Sequence, residues 1–461
     1  MTDAIWTYGS NHASAALRTA PAAWPVFAIA FVGVLLISLP NLLDPMIRHD
    51  DYPAYFADAE RFWSKTLHEG RWINYLWHLR EIVTPSWFNF ILYQGAWATF
   101  AASLGIAAMG RDGPRWYAAV LALMVLIAAP ATMISLWFNT LIPGLWLVAL
   151  YGLAVVFLPT VVHRALLLPF VVVTFMAYTT YPLLLLALCL AGSRRRSLRD
   201  LMGLLALFAV SFVVALLVAY SLNWHFHGVF GVPPADWREG VGLADLPGPL
   251  ANLPTFFWSL GAFARTASYN YEPAAYYHFA LFLFASGALV RLAPREALYL
   301  HAGLWTGMAL MLVQVLKLGV IAPPRAFLFA WVFYAIIALR AAVLLAEKHP
   351  NLARLARNLI LLIVLSYALR TGYQYSLYRT WQAETRTIAE TISEESTPVL
   401  LDGTAMSMGS AKKAFVQFET ALPERLRQLT GRSLLYCSQA PDLCAAIAGG
   451  APGRMIHLQN N

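Results

Sequence analysis

Apolar runs long enough to cross a bilayer alternate with short polar connections through residues 25–373, and the chain beyond Thr380 abandons that rhythm. A membrane-crossing helix takes about 20 apolar residues, and Arg and Lys gather at cytoplasmic ends. Applied together, these rules predict spans over 25–43, 87–109, 116–138, 141–162, 201–222, 276–292, 297–315, 327–345 and 359–373. The basic turn from Gly110 to Arg115 and the pair His163-Arg164 then fall at inner ends, and Asn139-Thr140 at an outer turn. Residues 165–191 make a run slightly longer than one span, yet it stops at Arg194-Arg195-Arg196 and Arg199. One crossing would leave that cluster outside. The run is therefore read as two short membrane-buried helices hinged at Tyr178-Thr179-Thr180-Tyr181-Pro182, where the residue before proline resists helical geometry. The expected fold is an all-α polytopic membrane protein of about eleven transmembrane helices, N-terminus in and C-terminus out.

Two outer connections are long. The first, residues 44–84, opens with Asp50-Asp51 just past the first span. Pro53 suits the first turn of a helix, and Tyr52, Tyr55, Phe56, Ala59, Phe62 and Trp63 recur at helical spacing, with Asp58, Glu60, Arg61 and Lys65 between them. After Gly70 the pattern resumes at Trp72, Tyr75, Leu76 and Leu79, so two amphipathic helices lying in the interfacial plane are expected. The second connection, residues 223–272, is rich in Gly and Pro and reads as a binding loop or lid. Its stretch 252–264 is apolar but too short to cross, so it reads as interfacial or re-entrant.

From residue 380 to 461 the composition is that of a soluble domain appended to a transmembrane domain of residues 1–379. A charged helix is expected over 381–395 and short strands over 398–401, 432–436 and 455–458, which makes a small outer α/β domain. Cys437 and Cys444 lie there, and an oxidising compartment would allow them to pair, whereas Cys189 sits in a span.

Composition narrows the function. Of 461 residues, 59% are hydrophobic and 12% charged, against roughly 25% charged in a soluble domain. The net charge of +8 is dispersed as short clusters between apolar runs, which membrane topology explains without a nucleic-acid partner. The polar segment before Ala23 lacks the basic n-region of a cleavable signal. No internal repeat is visible, which argues against an inverted-repeat transporter, and GxGxxG, P-loop, HExxH and GxSxG motifs are missing.

The candidate chemistry lies in the outer connections. A carboxylate at the membrane edge is functional by default, and desolvation beside a second acid raises its pKa toward that of a general base. Either Asp50 or Asp51 is the candidate base, and Asp50 is favoured because Asp51 is better placed to cap the helix opened by Pro53. Arg71 and Arg325 either grip a phosphate or anchor the fold at head-group level; Lys317 is near enough in sequence to join Arg325. His225 and His227 in HFH put both rings on one side of an extended segment and read as loop or substrate contacts. No Cys or acid cluster adjoins them, so no metal site is expected. Tyr178 and Tyr181 at the hinge either bond a sugar or satisfy broken helix backbone.

With Asp50-Asp51 in the first outer loop, interfacial helices behind them, Gly70-Arg71, and an outward Arg325, the chain resembles the GT-C superfamily of polytopic glycosyltransferases. Within it the likeness is to the bacterial O-antigen, serotype-converting glucosyltransferases. The resemblance covers most of the membrane domain and hardly touches the tail. It implies an enzyme of the bacterial inner membrane with a periplasmic C-terminal domain, one acid of the pair as base, and inverting transfer without a cofactor. The donor would be a polyprenyl-phosphate sugar and the acceptor a lipid-linked or cell-surface glycan such as lipopolysaccharide. Two rivals stand beside it: a transporter or flippase for lipid-linked sugars, which would share the groove and the arginines but need no base, and a polysaccharide polymerase, which also joins lipid-linked sugars in outer loops.

Overall fold

The computed structural model describes residues 23–110, 112–235, 247–393 and 397–458. The segment before Ala23, Arg111 of the basic turn, residues 236–246 of the second long connection and the end of the helix expected over 381–395 lie outside them. Helix α1 (Ala23–Ile37) ends six residues short of the expected span. Pro40 falls in a 3-10 turn, Leu39–Asn41, and cannot extend the helix. The first connection then folds into three helices, α2 (Tyr52–Tyr55), α3 (Ala59–Glu69) and α4 (Trp72–His78).

The expected single helix after Pro53 is thus split. Ala57 takes a left-handed backbone (φ 55°), and Asp58 caps α3 by accepting from the Arg61 amide at 3.1 Å. Gly70 closes α3 in the left-handed region (φ 66°), where the sequence placed the break. Phe62 of α3 stacks on buried His78 of α4 at 4.0 Å between ring centroids, which folds the two helices onto each other.

The bundle continues with α5 (Ser86–Met109), α6 (Arg115–Leu126), α7 (Ala129–Ile134), α8 (Phe138–Phe157), α9 (Thr160–Ala165), α10 (Leu167–Phe175), α11 (Tyr181–Gly192) and α12 (Leu198–His227). The span expected over 116–138 breaks at Ile127-Ala128, where Ala128 leaves helical geometry (ψ 132°). Pro130 restarts the chain in the first turn of α7, where its missing N–H costs nothing. Asn139 and Thr140 consequently open the returning helix α8 instead of forming the turn.

After α13 (Pro247–Leu250) come α14 (Leu253–Ala267), α15 (Glu272–Leu292), α16 (Pro294–Leu318), α17 (Leu328–Lys348), α18 (Pro350–Ser376) and α19 (Arg379–Ser393). Among the described residues seven helices are long and apolar enough to cross a membrane, those of an integral membrane protein. Four shorter apolar helices, Ala23–Ile37, Arg115–Leu126, Thr160–Phe175 and Tyr181–Gly192, stand among them. The run over 165–191 breaks at 176–180, as its proline indicated.

Both ends of that run meet at one end of the bundle. Arg164 pairs with Asp200 at 2.5 Å, Arg196 and Arg340 both reach Glu296 (2.8 and 2.5 Å), and Arg194 lies against Gly110. We therefore expect a single cysteine at Ser197, with Cys437 and Cys444 replaced, to react with an impermeant thiol reagent from the side opposite to one at Thr404. Equal labelling of both from one side would break this arrangement.

Beyond α19 the chain forms a three-stranded parallel sheet, in the order β2-β1-β3, from β1 (Val399–Asp402), β2 (Leu435–Tyr436) and β3 (Arg454–His457). Helices α20 (Gly409–Lys413), α21 (Ala421–Thr430) and α22 (Pro441–Ala448) surround it, and Cys437 is bonded to Cys444. All three expected strands are present, each within a few residues of its expected place.

Candidate active site

The two adjacent acids part company at once. Asp51 is fully buried, whereas the Asp50 side chain is 37% exposed. Asp51 accepts from the Asn139 amide at 3.0 Å, the Asn139 side chain at 2.9 Å and the Thr140 amide at 2.7 Å. The two backbone amides are unpaired donors at the start of α8, so the carboxylate caps a helix distant in sequence. Its own helix receives no side-chain cap from it, contrary to expectation. Burial pushes the Asp51 carboxyl up to about 7, and the donors of Thr140 and Asn139 pull it the other way.

Asp50 is held differently. Its Oδ1 accepts from the Trp137 indole at 2.6 Å, its Oδ2 lies 3.7 Å from Lys65 Nζ, and His49 Nε2 is 4.0 Å from Oδ1. Burial alone would raise this carboxyl, but Lys65, His49, the Trp137 hydrogen bond and Arg71 outweigh it and hold it below the usual carboxylate range. The expected upward shift from an acidic neighbour is thus reversed by cations. Burial lowers the His49 imidazole, so this ring is neutral near pH 7.

Trp137 gathers the cations. Arg325 lies over its ring at 4.4 Å and Arg48 at 5.2 Å. Arg325 projects from a 3-10 turn, Pro324–Phe327, and makes no ion pair among the described residues. Arg71 is less available, because it pairs with Glu69 at 2.5 Å while lying over the Tyr178 ring at 5.5 Å. Four cations, Arg48, Lys65, Arg71 and Arg325, therefore gather around Asp50 and Trp137, an arrangement that favours an anion.

The hinge is built into the same site. Asn74 donates its side-chain amide to the Ala177 carbonyl at 2.8 Å, and the Ile73 amide donates to the Met176 carbonyl at 3.3 Å. Residues of α4, not the tyrosines, satisfy the broken backbone. Tyr181 keeps a buried hydroxyl with no hydrogen-bond partner among the described residues. Its ring packs on Gly144 of α8, where an added Cβ would meet the ring at 3.1 Å and the Ala177 side chain at 2.5 Å.

The remaining candidates are not brought to Asp50. His225 and His227 sit in the last turn of α12, so positions two apart face different sides and the expected common side of an extended segment is lost. His225 is exposed; His227 bonds Thr66 at 2.7 Å and packs on Trp63, fixing α3 to the end of α12. Lys317 is exposed at the end of α16 and makes no ion pair among the described residues.

The C-terminal domain packs against the first connection beside the site. Asp44 binds Arg425 at 2.5 Å and Arg386 at 2.6 Å, Arg61 meets Glu424 at 2.7 Å, and Arg427 lies over Phe56 at 4.2 Å. Arg48 donates to the Phe415 carbonyl at 3.0 Å, and Phe418 packs on His49 at 4.1 Å between ring centroids. Phe415 and Phe418 remain exposed beside these contacts. Sequence reasoning did not assign Lys65, Trp137, Arg48 or this aromatic rim to the site. Lys65 and Arg48 were visible as bases of the same connection, Arg48 only two residues before Asp50, but nothing local marked Trp137 or the aromatic rim.

A groove of about 490 Å3 runs along α14, lined by Leu253, Pro254, Phe257, Trp258, Gly261 and Arg265. The opposite face of helix α14 packs against the turn that carries Arg325: Phe263 meets Phe327 at 5.5 Å, and the Ala322 amide donates to Ser259 at 2.9 Å. Set against known proteins, the chain matches no family model and no curated protein.

Proposed function

We propose that this protein is an inverting glycosyltransferase that moves a sugar from a polyprenyl-phosphate donor to a lipid-linked or cell-surface glycan. The observation that carries the reading is Asp50, an accessible carboxylate held ionised by Lys65 and Arg71 and hydrogen-bonded to Trp137. An acceptor hydroxyl loses its proton to Asp50 as it attacks the anomeric carbon, and the departing lipid phosphate takes its charge into the surrounding guanidiniums. The groove along α14 suits the donor's isoprenoid chain, and the exposed rings of Phe415 and Phe418 suit the apolar face of an acceptor sugar. A translocator of the same lipid would need the cations and the groove but no base, so Asp50 separates the two readings.

In this reading the seven long helices and four shorter apolar helices together make the membrane domain, with Asp50 and the C-terminal domain on the periplasmic side of a bacterial inner membrane. The test is direct: purified protein is incubated with a panel of polyprenyl-phosphate sugars and lipopolysaccharide acceptors, and transfer of the radiolabelled sugar is measured. Failure with every donor would end the proposal.

Arg325 is assigned to the donor phosphate, because its guanidinium has no carboxylate partner among the described residues and its proline-flanked turn restricts its position. Losing one charge-assisted contact costs about 1.5–3 kcal/mol, or roughly ten- to a hundred-fold in rate. Arg325→Ala is expected to lose that much turnover, with Arg325→Lys between it and wild type because an ammonium lacks the planar fork. Normal transfer by Arg325→Ala would move the assignment to Arg48 or Arg71.

A further inference from the structure

A second cavity lies at the arginine-rich end of the bundle. Helix α12 has 30 residues, so at 1.5 Å per residue its two ends are about 45 Å apart, one beside His227 and the first connection, the other at this cavity. The cavity encloses about 410 Å3, with Arg164, Ser197, Arg199 and Asp200 on its polar side and Gly203, Leu204 and Leu207 continuing it along the helix.

Three features point to an amphiphilic anion. Arg164 spends its two terminal nitrogens on Asp200, at 2.5 and 2.9 Å, and on Ser193 at 3.0 Å, yet its buried Nε has no partner among the described residues. Arg199 is exposed and makes no ion pair among the described residues, and Arg194 and Arg195 stand exposed in the same short connection. The cationic charge thus exceeds that of the single carboxylate. Gly203 supplies the third feature. A glycine inside a helix is less favourable than alanine, and close packing usually accounts for it. Here an added Cβ would meet no atom within 4 Å, so no neighbouring helix requires the glycine. The open bed beside it leads from the arginines onto Met202, Val210 and Val213, which are exposed apolar residues of a helix long enough to cross a membrane.

We propose that this cavity holds the phosphodiester head group of an anionic glycerophospholipid from the adjoining leaflet, with its acyl chains laid along α12 past Gly203 and Leu207. A polar mouth carrying excess guanidinium charge and opening onto a hydrocarbon-facing surface matches both halves of that molecule. A free anion would use only the mouth, and a zwitterionic lipid would bring a cation to it. The site is independent of the glycosyltransferase reading, since it involves neither Asp50 nor the donor groove.

The test uses full-length protein exchanged into lipid-free detergent micelles. Bound lipid is counted by native mass spectrometry and thermal unfolding is followed on adding phosphatidylglycerol, phosphatidylcholine or inorganic phosphate. Phosphatidylglycerol is expected to bind and raise the unfolding midpoint, and the other two are not. Gly203→Leu fills the bed without meeting a neighbour at its Cβ, and Arg199→Gln removes one charge; each is expected to weaken phosphatidylglycerol binding about tenfold or more while leaving the lipid-free midpoint near wild type. Equal binding of phosphatidylcholine, a phosphate-induced shift matching that of the lipid, or wild-type phosphatidylglycerol binding by both variants overturns the proposal.

Discussion

Asp50→Asn is expected to reduce sugar transfer by about 10²- to 10⁴-fold, the usual contribution of a positioned general base, while the protein keeps its fold. The side chain is 37% exposed and its neighbours are not built around its charge alone. The amide can still accept from the Trp137 indole, so the Trp137 contact at 2.6 Å survives in kind. What disappears is the capacity to take a proton. The wild-type pH profile is a second signature. Cations hold the Asp50 carboxyl below its ordinary value of 3.8, so the acidic limb due to this base lies below about pH 4, and activity should persist through mildly acidic buffers. The same depressed pKa means that any stability Asp50 contributes is present above the unfolded value and is lost only as pH falls through the folded one. Near wild-type turnover by Asp50→Asn, with donor binding intact, would remove the base from Asp50 and favour a non-enzymatic role for the site.

Asp51→Ala is expected to be a folding variant. Its carboxylate serves three N–H donors at the buried start of α8, and each donor left unpaired costs about 1–3 kcal/mol. The apparent unfolding midpoint should fall by several degrees or more, with loss of yield, before any statement about turnover can be made. Asp51→Asn is milder but still destabilised near neutral pH, because its amide NH2 must face at least one of those donors. The pH dependence has a definite sign. Burial raises the folded carboxyl from 3.8 to about 7, so the folded state holds a proton that the unfolded chain has released. Wild-type stability from this group therefore declines as pH rises from about 4 to about 7 and is level above. Thermal unfolding of Asp51→Asn across the same range should lack that slope. A variant as stable as wild type at every pH would show that the α8 amides find other partners, and the division of labour between the two acids would fail.

The places of most apolar helices were legible without coordinates, because hydropathy and the positions of Arg and Lys are properties of local composition. The break in residues 165–191, the return of Arg194–Arg199 to the end that carries Gly110 and Arg164, and the three strands of the tail all followed from such local signals. Asp50, Arg71, Arg325 and Tyr181 were likewise nominated from residue type and position. What each side chain does depended on partners far along the chain. Asp50 and Asp51 are neighbours with the same chemistry, yet one meets Trp137 and Lys65 at an accessible rim and the other meets the α8 amides in a dry interior. His225 and His227 changed meaning once α12 ran on to include them, and the tail became a wall of the site through Arg48, His49 and Asp44. A carboxylate's role is decided by its desolvation and by the donors and charges around it. In this chain the decisive donors, Trp137 for one acid and Asn139 and Thr140 for the other, lie more than eighty residues away, and only the packed bundle brings them together.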